Sequence, residues 1–304
     1  MSSPTGPDNG LPVRMPRPRR SGRHRRPEPV VAPENAPALV LAVPGEPSTA
    51  TRGLAEEIVS IGRSELPGLD ARIGYVDGDD QEAPTLTTVL AQVAAEHQAA
   101  EQDAAPEAED SGAPCAVVIP LLAGPDPARM RDIRQAVLNS GSGAELTDVL
   151  GPHPLLAEAV HVKLSEAGLA RADRARLFTV ATAADGIILA TLGGEEAVQA
   201  AGITGMLLAA RLAVPVLAAG LDEEGAIART AEQLREAGSQ QLAVAPCLIG
   251  PEIAEGLLEA AAQEAGCATA EPLGAYPALG KLVASTYGAK LGLPQQQPQG
   301  MPAH

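Results

Sequence analysis

The segment Ala116-Val117-Val118-Ile119-Pro120-Leu121-Leu122-Ala123-Gly124-Pro125 returns 126 residues later as Leu242-Ala243-Val244-Ala245-Pro246-Cys247-Leu248-Ile249-Gly250-Pro251. Each copy is a short apolar run closed by Gly-Pro and followed by a helical pattern. A continuous run of this kind suits a parallel strand buried on both faces. Two more matches flank it. Leu39 to Gly45 corresponds to Ile187 to Gly193 at an offset of 148, and Leu150-Gly151-Pro152-His153-Pro154-Leu155-Leu156 to Leu273-Gly274-Ala275-Tyr276-Pro277-Ala278-Leu279 at 123. Self-similarity in this order points to a duplicated unit. The offset falls from 148 to 126, so the first copy carries about 22 extra residues, and the acidic, alanine-rich stretch from His97 to Pro114 accommodates them as a surface insertion.

Working outward, apolar runs at 38–43, 71–76, 115–121, 186–192, 213–218 and 241–246 read as strands, with weaker ones near 145–149 and 268–271. Helical patterns fill 50–65, 85–97, 127–139, 153–167, 197–212, 223–237, 252–265 and 277–290. Strict alternation of strand and helix is the signature of a parallel α/β sheet. Eight of each divide into two lobes, each a four-stranded parallel sheet flanked by helices. The expected boundaries are 37–168 and 169–291, with the insertion at about 97–114. Residues 1–36, rich in Pro and Arg, and residues 292–304 read as disordered tails, because neither composition buries enough apolar surface to offset chain entropy.

Charge is distributed unevenly. Seven of the 22 basic residues lie between Arg14 and Arg26, leaving 15 against 37 of the 38 acidic ones from Pro27 onward. A body this acidic repels nucleic acid and anionic membranes unless cations cluster locally. The only aromatic residues are Tyr75, Phe178, Tyr276 and Tyr287, too few for a base-stacking surface. No apolar run approaches the ~20 residues that span a bilayer. Cys115, Cys247 and Cys267 are odd in number and lack C-x-x-C spacing, which fits reduced thiols in a cytoplasmic protein. Which partner, if any, the Arg-rich tail has is open.

Three features together resemble the sirohydrochlorin chelatase family of class II tetrapyrrole chelatases. They are Leu39-Val40-Leu41-Ala42-Val43-Pro44-Gly45 before a helix, Val118-Ile119-Pro120-Leu121-Leu122 before Arg131-Asp132-Ile133, and the duplicated L-G-x-[HY]-P segments. The resemblance spans about Ala38 to Leu291 and implies two tandem lobes around a cleft. It also implies insertion of a divalent metal, cobalt or ferrous iron, into a reduced tetrapyrrole of sirohaem or cobalamin synthesis, a lyase reaction with the metal as substrate and no organic cofactor. In that family a histidine follows the first strand and another follows the third, where neutral imidazoles hold the metal and accept the displaced pyrrole protons. Here those positions are Pro44 and Ala128. Neither side chain can ligate or take a proton, so the alternative is a non-catalytic paralogue that binds a tetrapyrrole, a metal or a protein.

Substitute groups stand near the same strand ends. Glu46, Asp126 and Asp132 are candidate metal ligands, while Arg129, Arg131 and Arg134 are candidate partners for tetrapyrrole carboxylates. Each has a plainer reading. Glu46 complements a helix dipole, Asp132 pairs with Arg129, and the arginines form a solvated helix face. His153, whose repeat partner is Tyr276, reads as a helix-start contact. Gly193-Gly194 lacks the remainder of a phosphate-loop pattern.

Overall fold

The computed structural model describes residues 30–103, 114–170 and 183–294. The first half runs β1 (Ala38–Val43), α1 (Thr49–Glu65), β2 (Ala71–Tyr75), α2 (Leu86–Asp103), β3 (Ala116–Pro120), α3 (Pro127–Ser140), β4 (Glu145–Leu146) and α4 (Pro154–Glu166). The second runs β5 (Gly186–Thr191), α5 (Gly194–Leu212), β6 (Val216–Gly220), α6 (Ala226–Glu236), β7 (Leu242–Pro246), α7 (Leu257–Glu264), β8 (Ala268–Thr269) and α8 (Pro277–Lys290). Two four-stranded sheets result, ordered β2-β1-β3-β4 and β6-β5-β7-β8, with every pair parallel. The two-lobed α/β architecture expected from the sequence is therefore present.

Local chemistry sets the helix starts. Ser48 Oγ accepts the amide of Thr51 at 3.1 Å ahead of α1. Asp126 Oδ1 accepts the amides of Ala128 and Arg129, both at 3.0 Å, with Pro127 at the first helical position of α3. These are donors that a helix leaves unpaired in its first turn.

The strands' period of two sorts their side chains into three apolar layers. Leu39, Leu41 and Val43 face a central core that also receives Ile187 and Leu189 from the other sheet. Val40, Ala42 and Val118 face outward onto Leu86, Leu90 and Ile133 of α2 and α3. Ile188, Ala190 and Val244 face Ile227, Leu234 and Leu258 of α6 and α7. Strands covered on both sides have no polar face, which explains their unbroken apolar runs.

The helices do not respect the expected boundary at 168/169. α8 packs on α1 and β3 of the first sheet, whereas α4 packs on α5 and β7 of the second. Each half thus sends its last helix across to the other, and the central core belongs to both. Contact is close where α8 crosses α1, because a Cβ added at Gly280 would meet Ile61 Cβ at 2.5 Å. Farther along α8, buried Tyr287 donates its hydroxyl to the carbonyl of Pro37 at 2.5 Å.

The remaining boundary expectations also shift. Residues 30–36, assigned to the tail, run against the body, with Ala32 buried and its amide donated to Pro67 O at 2.9 Å. α2 continues through the start of the expected insertion to Asp103. Leu293, inside the stretch assigned to the second tail, donates its amide to Gly288 O at 2.8 Å. Residues 1–29, 104–113 and 295–304, on which the rest of those expectations fall, lie outside the described residues. Among the described residues, no helix is long and apolar enough to cross a membrane.

Candidate functional site at the seam between the lobes

The turns after β1, β3, β5 and β7 meet at one seam, and glycine makes the meeting possible. Gly45 has φ +83°, and a Cβ there would lie 2.2 Å from Pro251 O. Gly193 has φ +114°, and a Cβ there would lie 2.4 Å from Pro125 O. Both conformations disfavour other residues, and both approaches leave no room for a side chain. The contacts are reciprocal. The two glycines are related by the 148-residue offset and the two prolines by the 126-residue offset.

Next to the prolines stand two carboxylates at the same 126-residue offset, Asp126 and Glu252. Asp126 caps α3. Glu252 is only 9% exposed, and its oxygens accept the amides of Ile249 at 2.6 Å and Gly250 at 2.9 Å. Burial pushes its pKa above the usual carboxylate range, the negative charge of Asp126 adds to that, and the amide donors pull the other way. Cys247, buried at the end of β7, is pushed up to about 12 by burial and by the Glu252 charge, against a side-chain hydrogen bond from Thr204. Its sulfur stays a thiol and behaves as a small apolar group.

Two further donors at the seam are committed. Asp222, just after β6, accepts the amides of Gly193 at 3.1 Å and Gly194 at 2.9 Å. A carboxylate of the chain itself therefore holds the amides where a phosphate loop would bind its ligand.

The positions named from the sequence are placed as follows. Pro44 is buried in the turn after β1, and Ala128 is exposed on the first turn of α3 after β3, the strand adjacent to β1. Glu46 and Asp132 are exposed, and Asp126 is half-buried. Among the described residues, no three His, Cys, Asp or Glu side chains group so as to hold a metal ion. Glu46, Asp126 and Asp132 are thus not brought together as such a group. The Asp126 carboxylate is engaged at the helix start, and Asp132 lies on the solvent side of α3.

Nor do the three arginines act as one cluster. Arg129 turns to Asp77 at 3.1 Å, rather than to the expected Asp132. Arg131 and Arg134 are exposed and, three residues apart, share a different face of α3. His153 caps α4, its Nδ1 accepting the Leu155 amide at 3.1 Å. His161 Nδ1 accepts from Arg211 Nε at 2.9 Å between α4 and α5. A cavity of about 400 Å³ lies between the turn after β4 and α8, lined by Asp148, His153, Leu282, Thr286 and Lys290 among others.

Sequence reasoning missed Glu252 and Asp222. The signal for Glu252 was its position, 126 residues after Asp126.

Two parallel sheets joined through exchanged helices, with their strand ends meeting at one seam, define a class II chelatase-like fold. Among solved structures the chain is similar to CbiX, described as the terminal enzyme for biosynthesis of siroheme in denitrifying bacteria. The TM-score is 0.52 at 16% identity, covering 83% of this chain and 98% of that one. It is also similar to a multi-domain protein of Deinococcus radiodurans described as structurally similar to chelatases but with two additional novel domains. There the TM-score is 0.51 at 17% identity, covering 83% of this chain and 54% of that one. No protein-family model matches the chain, and no curated protein sequence matches it.

Proposed function

We propose that this chain is a chelatase-like protein that binds a reduced, carboxylate-bearing tetrapyrrole at the seam between its lobes, without inserting metal by the two-imidazole route. The observation that carries the reading is the pair Pro44 and Ala128. The turns after β1 and β3 lie on adjacent strands, and the family resemblance assigns to Pro44, a buried ring, and Ala128, a methyl group, the positions where metal insertion needs ligands and proton acceptors. Ligands of parallel sheets gather at such strand ends. Exposed Arg131 and Arg134 on α3 supply local cations that an otherwise acidic body needs to hold a polycarboxylate. Three free cysteines support a reducing, cytoplasmic setting.

A second reading is favoured by one feature, the two carboxylates that reach the seam from equivalent positions. In it Asp126 and Glu252 take the two pyrrole protons as Co²⁺ or Fe²⁺, the substrate metal, enters the ring. One experiment separates the two. Purified protein is titrated with sirohydrochlorin, Co²⁺ is added, and the absorption spectrum is followed. Saturable binding with metal entry at the spontaneous rate supports the first reading. Entry above that rate, lost in Asp126→Asn and Glu252→Gln, establishes the second. Absence of binding sinks both.

A further inference from the structure

The two sheets end on different kinds of edge. At the outer edge of β2, Arg72 pairs with Asp70 at 2.9 Å and Glu96 at 2.6 Å. Tyr75 donates its amide to Pro84 O at 3.0 Å and forms a bridge with Thr85. Charge and partial pairing are common ways of keeping an edge strand from templating another chain.

β6 holds the corresponding place in the second sheet and has neither protection. Its sequence is Val216-Leu217-Ala218-Ala219-Gly220, without a charged residue. Among the described residues nothing pairs with its outer edge.

Apolar side chains flank that edge on both faces of the sheet. α5 lies directly on β6, so closely that a Cβ at Gly205 would touch Val216 Cγ1 at 3.3 Å. From α5, Ile203, Met206 and Leu207 remain 46%, 66% and 40% exposed. Spaced i, i+3 and i+4, they form one stripe. On the strand, Leu217 is 38% exposed and points to the opposite face from Val216. From Ile203 to Ala219 the one charged residue is Arg211, which turns to His161.

We infer that β6 and the outer stripe of α5 form a homodimer interface, with β6 pairing antiparallel with β6 of a second copy. Charge selects this occupant. A chain of net charge −16 repels its own copies over most of its surface. A two-fold interface brings each patch against itself, which requires a face free of like charge. A basic partner would instead seek the acidic faces. The geometry is self-complementary as well. Antiparallel pairing joins the sheets into one of eight strands about 4.8 Å apart. It also sets the two α5 stripes side by side on one face and the two Leu217 side chains near each other on the other.

The test is sedimentation velocity on the full chain at roughly 50 µM, a concentration at which modest interfaces associate, beside the variant Met206→Glu/Leu217→Lys. Both substituted side chains are exposed, so the fold is retained, and circular dichroism checks that. The wild type should sediment at twice the 30.9 kDa chain mass and the variant at that of one chain. The outward-facing amides of Val216, Ala218 and Gly220 should exchange about tenfold faster in the variant, and in the wild type on dilution. A wild type that sediments as one chain, a variant that remains dimeric, or outward-facing β6 amides whose protection is independent of concentration would each overturn the inference. The last result would mean that another segment of the same chain covers the edge.

Discussion

Replacing Gly280 with alanine probes the exchange of helices between the halves, because Gly280 lies where α8 of the second half crosses α1 of the first. A Cβ built there falls 2.5 Å from both Cβ and Cγ2 of Ile61 and 3.1 Å from the carbonyl oxygen of Ile58. Carbon atoms pack at about 3.5–4.0 Å. Ile61 is β-branched and stiff in a helix, so relief requires the two helices to separate. Overpacking of this kind costs about 1–3 kcal/mol. Alanine's higher helix propensity returns roughly 0.5–1 kcal/mol. The net expectation is a loss of about 1–2 kcal/mol, or a Tm fall of roughly 2–8 °C for a chain of this size. Gly202 on α5 is the control, since a Cβ there meets nothing within 4 Å. Gly202→Ala should therefore stabilise by about 0.5–1 kcal/mol. Calorimetry and urea titration of both variants give the comparison. If Gly280→Ala gains stability as Gly202→Ala does, α8 does not pack on α1 and the exchanged-helix architecture fails.

Tyr287→Phe removes the donor to Pro37 O and leaves a buried carbonyl unpaired, for an expected loss of about 1–2 kcal/mol in urea titration. His153→Ala should cost about 1 kcal/mol through the lost α4 cap. Burial holds the His153 pKa below its ordinary value, so the unfolded chain takes up the proton first. Stability attributable to His153 is then lost as pH falls below about 6.5, and His153→Asn, which keeps a capping oxygen, should flatten that loss. Parallel Tm profiles from about pH 7.5 to about 5 would count against this. Glu252 has the opposite sign. Its raised pKa means that the unfolded chain ionises first, so its contribution is fully present below the ordinary glutamate value of about 4.3 and is lost as pH rises. Glu252→Gln loses one amide-accepting oxygen at every pH, but its Tm relative to wild type should improve as pH rises above the ordinary glutamate value of about 4.3. An unchanging difference would show that Glu252 is not buried in the folded chain.

The fold was legible because each strand carries its own punctuation. β1 occupies Ala38–Val43, the apolar run itself, and Ser48 and Asp126-Pro127 mark the helix starts that follow β1 and β3. The destination of α4 and α8 was not legible. α8 buries Leu279, Leu282, Val283, Ala284 and Tyr287 around much of its circumference. Such a pattern states that a helix is covered without stating by which sheet. The arginines misled for a related reason. Neighbours in sequence are not neighbours on a helix turning about 100° per residue, so Arg129 and the pair Arg131 and Arg134 take different faces. Glu252 shows how one position in a duplicated unit can acquire a second role. α3 begins at Pro127, directly after Asp126, so that short carboxylate finds helix amides to cap. α7 begins only at Leu257, five residues after Glu252. With no helix start within reach, the longer side chain folds back onto the amides of Ile249 and Gly250, and the carbonyl of neighbouring Pro251 lies against Gly45. The delayed start of α7 thus turns a half-buried helix cap in the first half into a buried carboxylate in the second, whose pKa burial raises, at the seam between the halves.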